Sequence, residues 1–386
     1  MTPETVRGTA ERLSHALEAE GFAGWDPYDA LAAPAVRACA RTRLLRGAAI
    51  QGLKRAPLNG RRLLGVPKLE HTKALALLVS GYARIAGLEW GGPYRTLALA
   101  LAERLAARAL PAGPGVGFGY DFDVQTRWGY YRRGHANAVV TAFVAHALLD
   151  AAALGAESYR GLALRTLDFA CSEFLVAEGE ERYFGYFAGS RTPIHNASLL
   201  VASVCARTAE ASREHRTAAE DAVAYSLARQ RADGSWPYGE GPRLGWVDGF
   251  HTAYVLESLA RWHERAESPE AGEALTRGLE FYLSRLIDPD GAPRATVESR
   301  YPLDIHAAAS AVTALSSLDA YDERAFPAAT RVLGWTLRRM QRRDGRFAFQ
   351  EHRLFRNAAP YIRWSDGHML LALASHLAEQ EHRRAR

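Results

Sequence analysis

The sequence predicts an all-α protein in which six helical hairpins close into a ring, an (α/α)6 toroid. Three observations carry this prediction. Apolar residues recur at three- and four-residue spacing along most of the chain. Apolar segments that begin with a polar residue repeat at a regular interval. The alternation of apolar and polar residues that is typical of β-strands does not appear. A ring of this kind has an inner layer and an outer layer of helices, and both layers can be located in the sequence.

The predicted inner helices are mostly apolar, rich in alanine and leucine, and each opens on a polar group. The six segments begin at His71, His135, His195, His251, His306 and Asp366–His368. Successive histidines are 64, 60, 56, 55 and 62 residues apart, which is one period with variable loops. Repeats of this length are typical of stacked supersecondary units.

The predicted outer helices lie between the inner ones and are amphipathic, as in SREHRTAAEDAVAYSLARQ and EAGEALTRGLEFYLSRLI. The connectors that follow them combine a glycine with an aromatic residue, for example QRADGSW at 230–236 and QRRDGRF at 341–347. Glycine suits a turn that needs a positive φ after a helix ends. We therefore expect residues 1–386 to form a single toroid domain, with 1–65 as an N-terminal helical extension and first outer helix.

Parallel inner helices bring their N-terminal ends to one mouth of the ring. Polar groups at these ends would meet in one cavity, together with aromatic residues from the preceding loops, as in many small-molecule sites. Free N–H groups and the helix dipoles would favour an anionic ligand there. The alternative is that each polar group only caps its own helix.

The composition narrows the class of protein. Hydrophobic residues make up 48% and charged residues 24% of the 386 residues, and the net charge of +5 is carried almost entirely by arginine. We expect no nucleic-acid partner. The segment KRAPLNGRR at 54–62 is either a solvated loop or a contact to an anionic ligand or headgroup, so membrane association would be peripheral. The oligomeric state stays open.

The cysteines and the N-terminal segment predict a cytoplasmic protein. Cys39, Cys171 and Cys205 are odd in number and lie in apolar surroundings, which favours a reducing compartment over disulfides or a metal site. The first residues form an amphipathic pattern without the apolar core of a signal peptide. His146 and Asp150 interrupt the apolar stretch 138–156, which we interpret as a buried helix. No metal and no cofactor is expected.

The motif QRADGSW resembles the Gln-x-x-x-Gly-x-Trp repeat of squalene and hopene cyclases. The resemblance implies the toroid fold. It does not extend to the chemistry, because the acidic motif of those cyclases is incomplete here: the comparable stretch YPLDIH offers Asp304 alone. The related prenyltransferases bind zinc through Asp, Cys and His, and no cysteine lies near a cavity-facing motif.

A longer resemblance covers nearly the whole chain, through stretches such as WDPYDAL, PIHNASLL, GWVDGFHTAYVLESL and PYIRWSDGHMLLALA. These resemble a family of toroid proteins from polysaccharide-biosynthesis clusters, which implies a uronate-containing or lipid-linked glycan as substrate. The last stretch also resembles the closing segment of glucuronyl C5-epimerases.

Epimerisation next to a carboxylate needs two acid–base groups that flank the sugar ring and a cation that stabilises the developing charge. Arg363 could clamp a carboxylate through two hydrogen bonds. The candidate catalytic residues are Tyr238, Glu240, Asp248, His251, Asp304, His306, Tyr361 and Arg363. The candidate substrate-binding residues are His135, Asn137, His195, Asn196, Trp128, Tyr131, Trp236, Trp246, Trp364 and Asp366.

The same groups leave several functions open. The leading hypothesis is a carbohydrate-active enzyme, an epimerase, lyase or hydrolase. A hydrolase would use two carboxylates, for which Glu240 with Asp248 or Asp304 are candidates. The alternatives are a terpenoid cyclase or prenyl-group enzyme with a dry aromatic cavity, and a glycan-binding toroid without catalysis. For YPLDIH the plain interpretation is that Asp304 caps a helix and His306 is hydrogen-bonded inside the protein.

Overall fold

A computed structural model describes residues 1–126 and 129–385. Within these residues there are fourteen α-helices and nine short strands. The helices are α1 Pro3–Ala19, α2 Pro34–Cys39, α3 Arg43–Arg55, α4 Thr72–Ala86, α5 Gly92–Ala106, α6 Ala138–Ala153, α7 Ser158–Phe169, α8 His195–Ala206, α9 Arg213–Leu227, α10 Gly249–Ala266, α11 Pro269–Arg285, α12 Ile305–Ser317, α13 Ala325–Met340 and α14 Gly367–Ala385.

Six of these helices form a closed inner ring in the order α4, α6, α8, α10, α12, α14 and back to α4. The outer helices α5, α7, α9, α11 and α13 each pack on the inner helix that precedes them in the chain, and α1 packs on α14. The chain is therefore an (α/α)6 toroid, as the sequence predicts, and its first helix completes the sixth hairpin.

The two layers differ in burial as their sequences predict. Every residue of the inner helix α12 from Ile305 to Ser316 is buried. The outer helix α13 buries only one face, with Ala328, Val332 and Trp335 inside. Burial on all sides is possible for α12 because both the neighbouring inner helices and α13 cover it.

The strands are short and lie in the loops between helices. They are β1 Leu110–Ala112, β2 Gly115–Gly117, β3 Val124–Gln125, β4 Tyr130–Tyr131, β5 Leu175–Glu178, β6 Glu181–Phe184, β7 Leu303–Asp304, β8 Gln350–Glu351 and β9 Arg356–Asn357. Strands β1–β2, β3–β4 and β5–β6 form antiparallel pairs, and β7–β8–β9 form a three-stranded sheet. Asp304 opposes Gln350 in this sheet, which fixes the start of α12.

The segment between α1 and α4 forms a small satellite of the ring. It contains α2 and α3, and its own apolar cluster includes Leu31, Ile50 and Val66. The segment is tied to the ring by the Trp25–Tyr361 bridge and by the side chains of the loop before α14. No helix among the described residues is both long and apolar enough to cross a membrane.

The Gln-x-x-x-Gly-x-Trp motif has a structural role. Gln230 donates to the carbonyls of Gly234 (3.0 Å) and Ala274 (2.8 Å), which joins the loop to α11. Gly234 has φ +88°, and a Cβ there would lie 2.3 Å from the Arg277 carbonyl oxygen. Trp236 is buried and donates through Nε1 to the Ser226 carbonyl of α9 (2.8 Å). The motif therefore joins neighbouring outer helices.

Candidate active site

The N-terminal ends of the inner helices surround a mouth whose wall is aromatic. Its half-buried rings come from the loops before the helices or from their first turns. The hydroxyls of Tyr120 and Tyr186 are 2.9 Å apart, and the Trp364 ring lies 5.5 Å from Tyr28 and 5.7 Å from Phe250 between centroids. A wall of this kind offers stacking faces to a sugar ring, together with hydroxyls for its polar edge.

His251 lies in this mouth and is held by Asp248. The Asp248 carboxylate caps α10, since Oδ1 accepts from the backbone N–H of His251 (2.8 Å), and its Oδ2 accepts from His251 Nδ1 (2.7 Å). Because Nδ1 carries the shared proton, Nε2 of the neutral ring keeps a free lone pair. The ring is half-buried against Phe250 and Tyr238, at centroid distances of 3.9 and 4.6 Å. His251 is therefore oriented as a general base.

A second acid–base group, the floor cluster, lies on the ring axis one turn further along α10. It consists of Lys73, Tyr254, His306 and His368, which are all at least 96% buried. The Tyr254 hydroxyl donates to His306 Nε2 (2.6 Å) and lies 3.3 Å from His368 Nε2 and 3.4 Å from Lys73 Nζ. Since α4 and α10 are opposite each other in the ring, the approach of Lys73 to Tyr254 places the cluster at the centre.

Burial disfavours the charged forms of the floor cluster. It lowers the pKa of Lys73 well below its usual value, because the side chain loses its hydration. The pKa values of His306 and His368 are also well below the usual histidine value, mainly from burial and secondarily from neighbouring positive groups. The pKa of Tyr254 is raised by burial, so the phenol keeps its proton. The cluster thus combines a tyrosine hydroxyl with three nitrogen groups that burial shifts towards their neutral, basic forms.

Three predicted carboxylates do not face the mouth as free acids. Asp304 accepts from Gln350 Nε2 (2.6 Å), Trp364 Nε1 (2.9 Å) and the His306 backbone N–H (2.8 Å). Asp366 is fully buried and paired with Arg346, and Glu240 is paired with Arg229 (2.8 Å). Asp304 therefore follows the plain interpretation of a helix cap that also holds Trp364, and a pair of catalytic carboxylates is not assembled.

Arg363 and Tyr361 are also engaged inside the protein. Arg363 makes a two-pronged ion pair with the buried Asp26, at 2.6 Å from Nε to Oδ2 and 2.8 Å from Nη2 to Oδ1. The Tyr361 hydroxyl is 2.6 Å from Arg61 Nη1, and Arg61 also pairs with Asp29 (2.7 Å). Two of the three Arg363 nitrogens and the Tyr361 hydroxyl are thereby engaged, and the Arg363 guanidinium lies 5.3 Å from the centre of the Tyr120 ring in the mouth wall. The ion pairs attach the N-terminal segment to the loop before α14.

The prediction that the repeated histidines converge holds for only part of the set. His251, His306 and His368 lie around the axis. His195 is the first residue of α8 and points to the outer helix α9, with Nδ1 3.3 Å from Ser226 Oγ, and burial lowers its pKa to about 4. His135 is exposed on its loop. His71 is buried, with Nε2 3.2 Å from the Gly24 carbonyl oxygen.

The remaining predicted binding residues divide between the wall and the scaffold. Trp246 stacks on Tyr238 at 4.3 Å between centroids, and Asn196 lines a small pocket beside His251 and Asp248 with its buried Oδ1 unpaired. Asn137 caps α6. Tyr131 stacks on Phe187 in the loop before α8, and Trp128 lies outside the described residues.

Sequence analysis missed the residues that sit inside apolar helices or in loops without a motif. These are Lys73, Tyr254, Tyr120, Tyr186 and Phe143. One signal was available: Tyr254 follows His251 by three residues, so the two share a helix face, and their ring centroids are 6.4 Å apart.

The inner helices surround a second space at their other end, here called the C-terminal chamber. It extends from the floor cluster towards the helix C-termini. Its charged wall residues are Arg84, Asp150, Arg207, Glu257 and Arg261. Arg207 pairs with Asp150 (2.6 Å) and Arg261 with Glu257.

Carboxylates also occupy the N-terminal ends of several inner helices. Asp121 accepts from the Thr72 backbone N–H of α4 (2.6 Å), and Asp248 and Asp304 cap α10 and α12. These negative charges offset the positive ends of the helix dipoles. The expected preference of the mouth for an anion therefore has no support from the helix ends. Among the described residues, no group of three or more His, Cys, Asp or Glu side chains could hold a metal ion.

No family model and no curated protein sequence matches the chain. Its fold is similar to that of several solved structures. One is the cellobiose 2-epimerase from Bacillus thermoamylovorans, with 9% identity, 82% of this chain and 90% of that chain covered, and a TM-score of 0.61. Another is a D-mannose isomerase, with 12% identity, coverage of 80% and 86%, and a TM-score of 0.62.

A third similar structure is an unsaturated glucuronyl hydrolase specific for heparin, with 12% identity, coverage of 81% and 86%, and a TM-score of 0.61. All three comparisons extend over most of both chains. At these identities they show a common (α/α)6 fold.

Proposed function

We propose that this chain is a carbohydrate epimerase or isomerase that moves a proton at a carbon next to a sugar carbonyl. One observation carries the proposal. Two separate acid–base units, the His251–Asp248 pair and the Tyr254–His306 pair, lie one helical turn apart on α10, the first half-buried in the aromatic mouth and the second buried below it on the ring axis. Epimerisation and isomerisation both need one group that removes a proton and another that supplies one.

The sugar would stack on the aromatic wall, with its reacting carbon near His251. Nε2 of His251 would remove the proton, and Asp248 would stabilise the imidazolium that forms. Tyr254 would donate a hydrogen bond to the carbonyl oxygen as negative charge develops there, and His306 would hold the Tyr254 hydroxyl in place. The epimerase and isomerase among the similar folds are consistent with such a reaction.

The contacts of the carboxylates support this reaction over the alternatives. Hydrolysis by two carboxylates is disfavoured, because Asp304 and Glu240 are both bound to other side chains. Asp304 is held as a helix cap by three hydrogen bonds that it accepts, which disfavours its use as the acid of a terpenoid cyclase. The substrate would be a reducing sugar or glycan end. The uronate-containing or lipid-linked glycan implied by the sequence resemblance is one candidate.

The test is incubation of the protein in heavy water with reducing mono- and disaccharides and with uronate-ended oligosaccharides. Proton NMR should show deuterium entering next to the carbonyl and a new epimer or ketose with an unchanged number of sugar units. His251→Asn is the matched control. Unchanged spectra with bound sugar would identify a glycan-binding protein, whereas a new double bond or a cleaved linkage would replace the proposal by a lyase or a hydrolase.

A further inference from the structure

Lys73 is a buried amine without a carboxylate partner. It is 4% exposed and is the second residue of α4. Its Nζ lies 3.4 Å from the Tyr254 hydroxyl and 4.1 Å from the centre of the Phe143 ring. Among the described side chains, no carboxylate lies within 4.0 Å of it to form an ion pair. Asp26, the acid that most affects it, is already paired with Arg363.

A structural role explains this arrangement poorly. Lysine is almost never buried unless it is paired, since desolvation of the ammonium is costly. An apolar side chain of similar length would fill the same space beside Phe143 without that cost. The chain has only three lysines, and the other two have ordinary environments. Lys54 bonds to the Tyr28 hydroxyl (2.6 Å), and Lys68 is exposed and pairs with Glu20.

We propose that Lys73 is a catalytic nucleophile that forms an imine with the carbonyl carbon of the open-chain sugar. The inference rests on the proposed function and names the group that activates the substrate. The geometry places the amine at the centre of the ring, beside a hydroxyl donor and two histidines, below the mouth that would hold the sugar. A buried amine that remains neutral has the free electron pair that this step needs.

The reaction balances with the groups present and needs no other reactant. The Nζ electron pair forms a bond to the carbonyl carbon, and the carbonyl oxygen takes up a proton from the nitrogen through Tyr254. The Tyr254 hydroxyl then gives its own proton to the new hydroxyl, which leaves as water. The product is a protonated imine paired with the Tyr254 phenolate, and it acidifies the neighbouring C–H bond.

His251 then removes that proton, and the electrons of the C–H bond form a neutral enamine. After the enamine turns its opposite face towards His251, the His251 imidazolium returns a proton to the same carbon, which gives the epimer. Water finally adds to the imine carbon as its proton passes to the Tyr254 phenolate, and breakage of the C–N bond releases the sugar and restores the Lys73 amine. His251, Tyr254 and Lys73 thereby act in sequence on adjacent atoms of one substrate.

The test is reductive trapping on the folded, full-length protein. Sodium cyanoborohydride is added with a reducing sugar that the protein turns over, and the modified lysine is identified by peptide mass spectrometry. Lys73 should be modified at least about tenfold faster than Lys68, which reports unselective reaction at an exposed amine. Loss of activity should follow the modification of Lys73. Equal modification of both lysines would overturn the proposal.

Two variants check the inference independently of trapping. Lys73→Met should lower kcat by at least about 10²-fold, and Lys73→Arg should be similarly inactive because a guanidinium cannot form the imine. Lys68→Arg is the matched control with kcat unchanged, and circular dichroism checks that each variant is folded. A Lys73→Met protein with a kcat within threefold of wild type would show that the Lys73 side chain has only a packing role and takes no part in catalysis.

The outcomes separate this inference from the proposed function. If deuterium enters the sugar but no Lys73 adduct forms, proton transfer proceeds without an imine and only the role of Lys73 is wrong. If Lys73 is selectively trapped but no sugar is epimerised or isomerised, the amine is reactive and the proposed function is wrong.

Discussion

The two ends of the ring contain polar groups of opposite kinds. At the N-terminal mouth, the floor cluster holds neutral bases whose closest polar contact is one tyrosine hydroxyl. In the C-terminal chamber, Arg207 and Arg261 face Asp150 and Glu257 at ion-pair distance, and Arg84 bonds to the Ser375 hydroxyl. The same six helices form both walls, so the difference lies in the side chains and in the direction of the helix dipoles.

This difference indicates which end performs chemistry. Arginines near helix C-termini offset the partial negative charge of the free carbonyls, and their pairing with carboxylates leaves them electrostatically satisfied. Unpaired buried bases are costly to the fold, and such groups concentrate at functional sites. We infer that the chamber stabilises the ring and that the mouth carries the reaction.

The largest expected effect is on activity. His251→Asn should lower kcat about 10²- to 10⁴-fold, because the general base is lost while the helix cap from Asp248 remains. His146→Asn, the matched change in the chamber, should leave kcat within about threefold, since His146 bonds to Ser203 and Arg207 away from the mouth. Turnover followed by NMR measures both. A chamber variant as inactive as the mouth variant would erase the distinction between the two ends.

The ring could be predicted because its signal is repeated. Each inner helix shows the same apolar run at the same interval, so an error in one repeat is corrected by the others. The Gln230–Trp236 motif could be interpreted in the same way, since Gly234 and Trp236 have a physical task in every such connector.

The site could be predicted less well because the sequence does not give the rotation of each helix about its own axis. His195 is the first residue of α8, whereas His251 is the third residue of α10. Two residues correspond to about 200° around a helix, so similar histidines face opposite directions. Pairings over long sequence distance, such as Arg363 with Asp26, are likewise invisible to local patterns, and they determine how a predicted catalytic group is held.

The second largest expected effect is a loss of protein stability when an ion pair in the chamber is broken. Arg207→Met should lower the free energy of unfolding by about 1–3 kcal/mol, because Asp150 loses its ion pair while it stays largely buried. Denaturant titration measures the change. Asp150→Asn with Arg207→Met should recover part of the loss, since the uncompensated charge is then gone. No loss in the single variant would mean that solvent already screens this pair.

The smallest expected effect is a gain in protein stability, and it comes from replacing Lys73 at the N-terminal side of the ring. Lys73→Met should raise the free energy of unfolding by about 1 kcal/mol at pH 7, because an unpaired polar group is replaced by an apolar one of similar length. The gain should depend on pH. Burial lowers the pKa of Lys73 in the folded protein, so between that pKa and the unfolded value of about 10.4 only the unfolded chain binds the proton.

The wild-type protein therefore becomes more stable as the pH rises through this interval, and the variant lacks this contribution. The stability advantage of Lys73→Met should decrease as the pH rises from neutral and should disappear only above the unfolded pKa of about 10.4, where the amine is neutral in both states. Denaturant titrations of both proteins at pH 7 and pH 9.5 measure it, and the difference between them cancels the other titrating groups. Parallel pH profiles would show that Lys73 keeps its charge when folded, and the mouth would then resemble the chamber.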